Sequence, residues 1–454
     1  MATSILMLPM LAYGHALPFL ELAKKLSAKN FDIYFCSTNI ILISFKKTLE
    51  DKFSSSIQLI EIKLPWALLP PHYHSSKDLP PHLFHLLIIA FDSAKPAFCK
   101  ILDTLKPTIV VYDLFQPWVA EATRERNIPT VFFSIFNVVN SSYFEYCRRG
   151  CVDKCPLPEK YLQDEQAVFH FLNLVVSGMT IKEILMKSID QSSNIILCRT
   201  SGDQVEVESM YLDYLNTAAA ESSKEWVLVG LLFPKHVYKE DDGRDVIEWL
   251  DKKELSSVVY VNFGSSYFLS KEEIDGIARG IERSKVDFIW VARSHAENKS
   301  SIDEALPQGF VERKKDKGFI VQEWVPQVKI LGHISIGGFV NHVGWSSIIE
   351  AMMFGVPIVS ILMEGDQPRN SLLVLETGVG MEVPKENRMF KGEDLARVIR
   401  QVMVQEESKQ IRSKVKEMCQ NIWHKNEDDH EINLVAQKLI FLATSHYDEE
   451  IKTT

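Results

Sequence analysis

His15 and Asp113 each come just after a short apolar run, Ile5 to Leu8 and Thr108 to Tyr112. Continuous runs of this kind form buried parallel strands, and ligands of open α/β sheets gather at the carboxyl ends of such strands. A histidine and a carboxylate at neighbouring strand ends can act as a dyad. The carboxylate fixes the imidazole tautomer and stabilises its protonated form, leaving the second ring nitrogen as a general base. The same residues also have a purely structural reading. His15 then closes a turn made by Gly14 ahead of a helix starting at about Pro18, and Asp113 caps a helix starting at about Gln116.

Two further places carry polar residues at strand ends. Phe263-Gly264-Ser265-Ser266 offers small hydroxyls suited to an oxyanion, a weak signal by itself. The run from Trp324 to Gln367, WVPQVKILGHISIGGFVNHVGWSSIIEAMMFGVPIVSILMEGDQ, is richer. His342, Gly344, Ser346 and Ser347 fall at a strand-to-helix junction, where free backbone N–H groups and the positive end of the helix dipole favour a diphosphate. Glu350, one turn further on, has two oxygens for ribose hydroxyls, Trp324 has a flat ring for a base, and Asp366-Gln367 ends the next strand facing sugar hydroxyls. Cys147, Cys151 and Cys155 recur every four residues, but no CxxC and no nearby histidine completes a tetrahedral set, so they read as structural thiols.

The elements that must position these groups form two βα series. The first runs through Ile5–Leu8, a helix Pro18–Lys29, Phe31–Cys36, Gln58–Leu64, one long helix from about Leu83 to Leu105, Thr108–Tyr112 and Val131–Ser134. The charged, aperiodic stretch at 233–245 reads as a linker between domains at 1–232 and 246–430. The second series follows, with strands at Val258–Phe263, Phe288–Val291, Gly318–Gln322, Ile336–Val340 and Pro357–Ile361, and helices at Lys271–Arg283, from Gly344 and after Pro368. Both halves read as doubly wound α/β domains. Neither opens with GxGxxG, which argues against a dinucleotide dehydrogenase.

Composition narrows the class. The 454 residues suffice for two cores, and 46% apolar with 24% charged residues excludes a disordered chain. A net charge of −10 leaves no footprint for nucleic acid. The N-terminal apolar stretch lacks a basic lead and is broken by Pro9 and Gly14, no apolar run approaches a membrane span, and seven scattered cysteines fit reduced thiols. The expectation is a cytoplasmic protein without membrane insertion, with a monomer as the simplest state.

The Trp324–Gln367 run closely resembles the donor-binding signature of plant secondary-product UDP-glycosyltransferases. The resemblance extends to GHALPFLELAKKL around His15 and IVVYDLFQPW around Asp113, and so covers essentially the whole chain. It implies the GT-B fold, two Rossmann-like domains facing each other across a cleft, a C-terminal helix at 431–454 returning to the first domain, and inverting transfer from a UDP-sugar donor without other cofactor, while the lack of an Asp-x-Asp motif points to a metal-independent reaction. By position it implies His15 and Asp113 as the catalytic pair. Trp324 would stack on uracil, Val325 and Gln327 would meet its edge and the ribose, and Glu350 would bind the ribose hydroxyls. Ser265, His342, Ser346 and Ser347 would face the diphosphate beside Gly344, and Trp345, Asp366 and Gln367 the donor sugar. Val343 and Ser346 depart from the cysteine and asparagine usual in the family. Serine at 346, together with LPPHYHSSKDLPPHLF at 69–84, resembles the members that add sugar to sugar. The implied acceptor is a small-molecule glycoside, with Phe84, Phe115, Trp118, Phe136 and Tyr143 as pocket candidates and Phe144, His72 and His74 nearby. Glucose is the expected donor sugar, with rhamnose or xylose as alternatives. Remaining rivals are a GT-B epimerase or phosphorylase and a non-catalytic UDP-sugar-binding protein.

Overall fold

Strands rich in Ile, Val and Phe with no polar alternation need cover on both faces, which helices on either side of a parallel sheet supply. The chain builds two such sheets. The computed structural model describes residues 3–49, 51–77, 79–150, 154–158, 173–200, 206–233, 242–264, 267–292, 306–314, 316–363, 365–386, 389–426 and 429–453. It divides into two compact units, Met1–Val237 with Asp428–Thr454, and Tyr238–Glu427.

In the first unit the strands are β1 (Ser4–Leu8), β2 (Asp32–Ser37), β3 (Ile57–Glu61), β4 (Ile109–Tyr112), β5 (Thr130–Ser134), β6 (Ile195–Cys198) and β7 (Glu225–Leu228). They pair in parallel in the order 3-2-1-4-5-6-7. The second unit holds β8 (Val258–Val261), β9 (Asp287–Val291), β10 (Gly318–Val321), β11 (Ile336–Asn341), β12 (Ile358–Ser360) and β13 (Gly380–Glu382). Its order, β10-β9-β8-β11-β12-β13, repeats the same winding. Each sheet therefore reverses direction beside its own first strand, between β1 and β4 and between β8 and β11, and these are the switch points where such sheets bind ligands.

Two expected elements change shape. The helix after β1 spans Tyr13–Ser27, so it begins five residues before Pro18, and Gly14 has ordinary helical backbone rather than a special turn. Pro18 lies in the second turn of this helix, where it removes the bond to the Gly14 carbonyl and its ring crowds that oxygen. The long helix expected over Leu83–Leu105 is two helices, Phe84–Asp92 and Lys95–Leu105, broken at Ser93-Ala94 because Pro96 starts the second.

The core of the second unit gathers Val259, Val261, Trp290, Ile277, Phe310 and Leu395 from strands and covering helices. Ser270 and Glu273 form a reciprocal capping box that fixes the start of the Lys271–Ser284 helix. The His430–Thr453 helix belongs to the first unit, where it packs on β7 and on the Tyr13–Ser27 helix. Among the described residues no helix is long and apolar enough to cross a membrane. Of the cysteines weighed above, Cys147 is buried and Cys155 half-buried, while Cys151 lies outside the described residues.

Candidate active site

At the switch point of the first sheet, β1 delivers His15 into the first turn of its helix and β4 delivers Asp113. Their side chains meet: His15 Nδ1 lies 2.8 Å from Asp113 Oδ2. The same carboxylate oxygen accepts from the Met10 N–H at 2.9 Å, and Oδ1 accepts from the Leu114 N–H at 2.7 Å. Asp113 is 1% exposed and His15 18%. Because the other two contacts are N–H donors, the carboxylate is held as an acceptor, which assigns the proton to Nδ1 and the lone pair to Nε2. The structural alternative for Asp113 is not what forms, since the next helix spans Trp118–Arg124 with Pro117 at its cap.

Aromatic rings wall the histidine. Phe115 and Phe136 lie 6.5 and 6.2 Å from its ring, Phe84 extends the group through Phe115, and Phe144 does so through Phe136. Tyr143 is buried and touches Phe144 and Tyr146. Trp118 stands apart, since its ring partners among the described residues are Phe91 and Phe98, the pattern of a core tryptophan. The 69–84 segment folds as two 3-10 turns, Pro71–Tyr73 and Pro81–Leu83, tied beside the His15 helix. The Ser76 N–H donates to Leu11 O, Thr38 Oγ1 donates to His74 O, and the Lys77 ammonium lies over the Tyr13 ring. His72 packs against Tyr73, and His74 Nε2 meets Leu69 O.

At the second switch point, β11 runs into the Trp345–Met353 helix, whose N-cap is Gly344 with no side-chain cap. Its first turn carries no acid, so its N–H groups and dipole favour an anion. The helix is anchored at its other end, where Trp423 Nε1 and Cys419 Sγ both donate to Met353 O. Val343, just before the helix, has φ +54°. A β-branched residue in the left-handed region is a true outlier and costs on the order of 1–3 kcal/mol. Side chains hold it there: Asn341 Oδ1 accepts the Val343 N–H, and Asn370 Nδ2 donates to Val343 O at 2.9 Å.

His342 is clamped between two glycines. A Cβ on Gly264, itself at φ +75°, would come within 2.7 Å of the ring, and one on Gly344 within 3.1 Å. Burial lowers the His342 pKa to about 4, so the ring is neutral at pH 7 and presents dipoles rather than a full charge. Ser346 and Ser347 are half-buried in the first helical turn. Ser265 lies outside the described residues.

The remaining donor candidates fall into two groups. Gln327 Nε2 donates to Glu350 Oε2 at 2.7 Å and to Ser347 Oγ at 3.3 Å, so these three residues meet. Trp324 is 65% exposed, whereas Val325 is buried and Trp345 is only 5% exposed. Asp366 and Gln367 begin the next helix: Asp366 Oδ2 accepts from Asn370 Nδ2 at 2.7 Å, and Gln367 Oε1 accepts from the Met363 N–H at 2.6 Å. Asn370 thus joins Asp366 to the strained Val343. Among the described residues no three His, Cys, Asp or Glu side chains gather as a metal set.

Two switch points, one with a histidine–carboxylate pair and one with a helix N-terminus beside the Gln327–Glu350 pair, lie in a chain that matches known families over residues 2–420. Residues 2–234 match the "Glycosyltransferase, N-terminal domain" family and residues 235–420 the "UDP-glucoronosyl and UDP-glucosyl transferase" family. The chain belongs to the UDP-glycosyltransferase family. It is an enzyme that transfers sugar from a UDP-sugar donor. It is 47% identical to the flavanone 7-O-glucoside 2''-O-beta-L-rhamnosyltransferase of Citrus maxima, with 97% of each chain covered. It is 39% identical to the beta-D-glucosyl crocetin beta-1,6-glucosyltransferase of Gardenia jasminoides, over 96% of this chain and 98% of that one. The fold superposes on Glycyrrhiza uralensis UGT73P12, complexed with glycyrrhetinic acid 3-O-monoglucuronide, with a TM-score of 0.82 at 21% identity, covering 100% of this chain and 98% of that one. The two Rossmann-like units are therefore those of a GT-B transferase.

Three asparagines that hydrogen-bond the candidate residues or their neighbours, Asn262, Asn341 and Asn370, were not singled out from the sequence. Each is an asparagine near a strand end or helix start, where that residue type ordinarily signals turn chemistry. The hint lay in their positions beside Gly264, Val343 and Asp366.

Proposed function

We propose that this transferase extends the sugar chain of a plant small-molecule glycoside, moving glucose from UDP-glucose onto a hydroxyl of the acceptor's sugar with inversion. The observation that carries the chemistry is the 2.8 Å contact of His15 Nδ1 with Asp113, which leaves Nε2 as the base. The acceptor O–H bond breaks toward His15 Nε2 while its oxygen bonds to the anomeric carbon, and the bond from that carbon to the UDP oxygen breaks on the opposite face. Asp113 stabilises the imidazolium that forms. UDP departs toward the N–H groups of the Trp345–Met353 helix, beside His342, Ser346 and Ser347, with Ser265 a further candidate there. Trp324, Val325, Gln327 and Glu350 take the uridine, and Trp345, Asp366 and Gln367 the donor sugar. Phe84, Phe115, Phe136 and Tyr143 are the acceptor-side candidates, while the packing of Trp118 favours a core role for it. A cytoplasmic monomer with no cofactor beyond its donor substrate completes the reading.

A glycoside acceptor is supported by the two relatives above, both named for acceptors that already carry glucose. The second reading keeps that acceptor and changes the donor to UDP-rhamnose, favoured by the 47% relative being a rhamnosyltransferase. The test pairs UDP-glucose, UDP-rhamnose and UDP-xylose with aglycones and their monoglucosides, with products read by mass spectrometry. Hexose addition restricted to monoglucosides is the expected result. Transfer to free aglycones would remove the glycoside assignment, and deoxyhexose addition would install the second reading. Absence of transfer to any of these acceptors would remove the proposed acceptor class.

A further inference from the structure

Asn262, the residue after β8, sits at the centre of a polar relay. Its Oδ1 accepts the Gly264 N–H at 3.1 Å. Its Nδ2 donates to Gln327 Oε1 at 2.7 Å and to the Tyr260 hydroxyl at 3.0 Å. Gln327 in turn donates from Nε2 to Glu350 Oε2 at 2.7 Å. Amide orientations must be inferred from their partners, and here both ends of the relay dictate the same answer. A backbone N–H can only donate, so it fixes the oxygen of Asn262 toward Gly264. The NH2 of Asn262 must then meet the oxygen of Gln327, which turns the NH2 of Gln327 toward Glu350. At the far end an ionised carboxylate only accepts, and this requires the same arrangement.

We infer that Asn262 is a positioning residue for the donor: it orients the Gln327 amide so that Gln327 holds the Glu350 carboxylate in place for the ribose hydroxyls. The inference rests on the reading of Glu350 as the ribose ligand. Asn262→Asp is the informative change. It keeps the size and the acceptor for Gly264 but has no NH2. The Gln327 amide then has to turn its NH2 toward position 262 and its oxygen toward Glu350, where two acceptors face each other and the carboxylate loses its donor.

The experiment is calorimetric binding of UDP and of 2',3'-dideoxy-UDP to the full chain as wild type, Asn262→Asp, Asn262→Ala, Gln327→Ala, Glu350→Gln and the double variant Asn262→Asp/Gln327→Ala. Both ligands carry the same diphosphate, so any general repulsion from a new charge cancels in their ratio. The expected result is that wild type prefers UDP by about tenfold or more and that Asn262→Asp erases most of that preference, in line with the loss of a charge-assisted hydrogen bond. In the Gln327→Ala background, Asn262→Asp should change the ratio no further. Should Asn262→Asp not fold, Asn262→Ala gives a weaker form of the comparison, since it takes the donor from Gln327 Oε1 without forcing the amide to turn, and a smaller loss of the preference is expected. Full retention of the preference in the Asn262 variants, with loss in Glu350→Gln, would overturn the positioning role alone. Retention in Glu350→Gln as well would overturn the ribose reading beneath it.

Discussion

His15 can accept a proton only from a hydroxyl that is already bonding elsewhere. An alcohol is about as weak an acid as water, pKa ~15.7, and an ordinary imidazole lies near ~6.5, so full deprotonation before attack would cost roughly 12 kcal/mol. Transfer has to accompany attack, and the acceptor that needs the base most is the least acidic. His15→Ala should therefore lower kcat with a monoglucoside acceptor far more than with a phenol, whose pKa is about 10. Equal losses in paired turnover assays would argue against a sugar hydroxyl as nucleophile. A second residue-scale prediction concerns His342. Its pKa is lowered by burial to about 4, below the ordinary value, so the unfolded chain takes up the proton first as pH falls. The stability from keeping this ring neutral is complete above about pH 6.5 and is lost as pH falls toward 4, amounting to about 2 kcal/mol by pH 5. Scanning calorimetry should show the transition of the second unit dropping between pH 7 and 5, with the drop reduced in His342→Asn. Bound UDP should oppose the drop, since a diphosphate favours the protonated ring; an unchanged pH dependence in the variant would refute the assignment. His15 and Asp113 were legible in the sequence as candidates because both follow apolar strands, but position alone left the turn-and-cap reading open, and it was the family resemblance that favoured the pair, whose side chains meet at 2.8 Å. The neutrality of His342 was not, because it comes from Gly264 and Gly344 closing on the ring from two different strand ends.

The Trp345–Met353 helix shows what an element contributes that no single side chain does. With Gly344 at its cap and no acid in its first turn, its N-terminal dipole favours an anion there. Filling that position with a fixed negative charge should separate stability from function. Ser346→Asp should raise the melting temperature slightly, since a carboxylate in the first turn contributes about 0.3–1 kcal/mol, while weakening UDP binding by about a hundredfold or more through like-charge repulsion. Unchanged UDP affinity in titration calorimetry would move the diphosphate away from this helix. If the helix and its neighbouring dipoles carry the leaving-group charge, no metal is required, and EDTA should leave turnover intact. Loss on chelation with recovery on adding Mg²⁺ or Mn²⁺ would refute that account. Apolar periodicity placed this helix correctly because a buried strand, a glycine and an amphipathic run follow one another. It misplaced the start of the His15 helix because Pro18 has the form of a first-turn residue, although it lies in the second turn. It also merged the helices at 84–92 and 95–105, because the apolar stripe continues across the break at Ser93-Ala94.

At the scale of the whole molecule, one winding is used twice for two kinds of chemistry. Both sheets reverse beside their first strand, and each reversal brings a different set of side chains together: His15 with Asp113 in the first, and Gln327 with Glu350 and Ser347 beside the Trp345–Met353 helix in the second. The repeated order was only partly readable beforehand. Alternating buried strands and amphipathic helices implied two doubly wound units, but strand order depends on which helices cross which face, and that is a property of packing rather than of any local run. The segregation predicts how variants should sort. Asp113→Asn removes an acceptor that serves three donors and favours the wrong imidazole tautomer, so kcat should fall about a thousandfold or more. UDP affinity should stay within about twofold, since in this division the base contributes little to holding the donor. Gln327→Ala should do the reverse, raising the KM for the donor about tenfold while the KM for the acceptor holds, because it releases Glu350 and leaves the His15 group untouched. Calorimetry with UDP and initial rates with both substrates, run on the two variants in parallel, decide the matter. If Asp113→Asn weakens UDP as strongly as Gln327→Ala does, the two switch points act as one energetically coupled site and the division of labour argued from the topology fails.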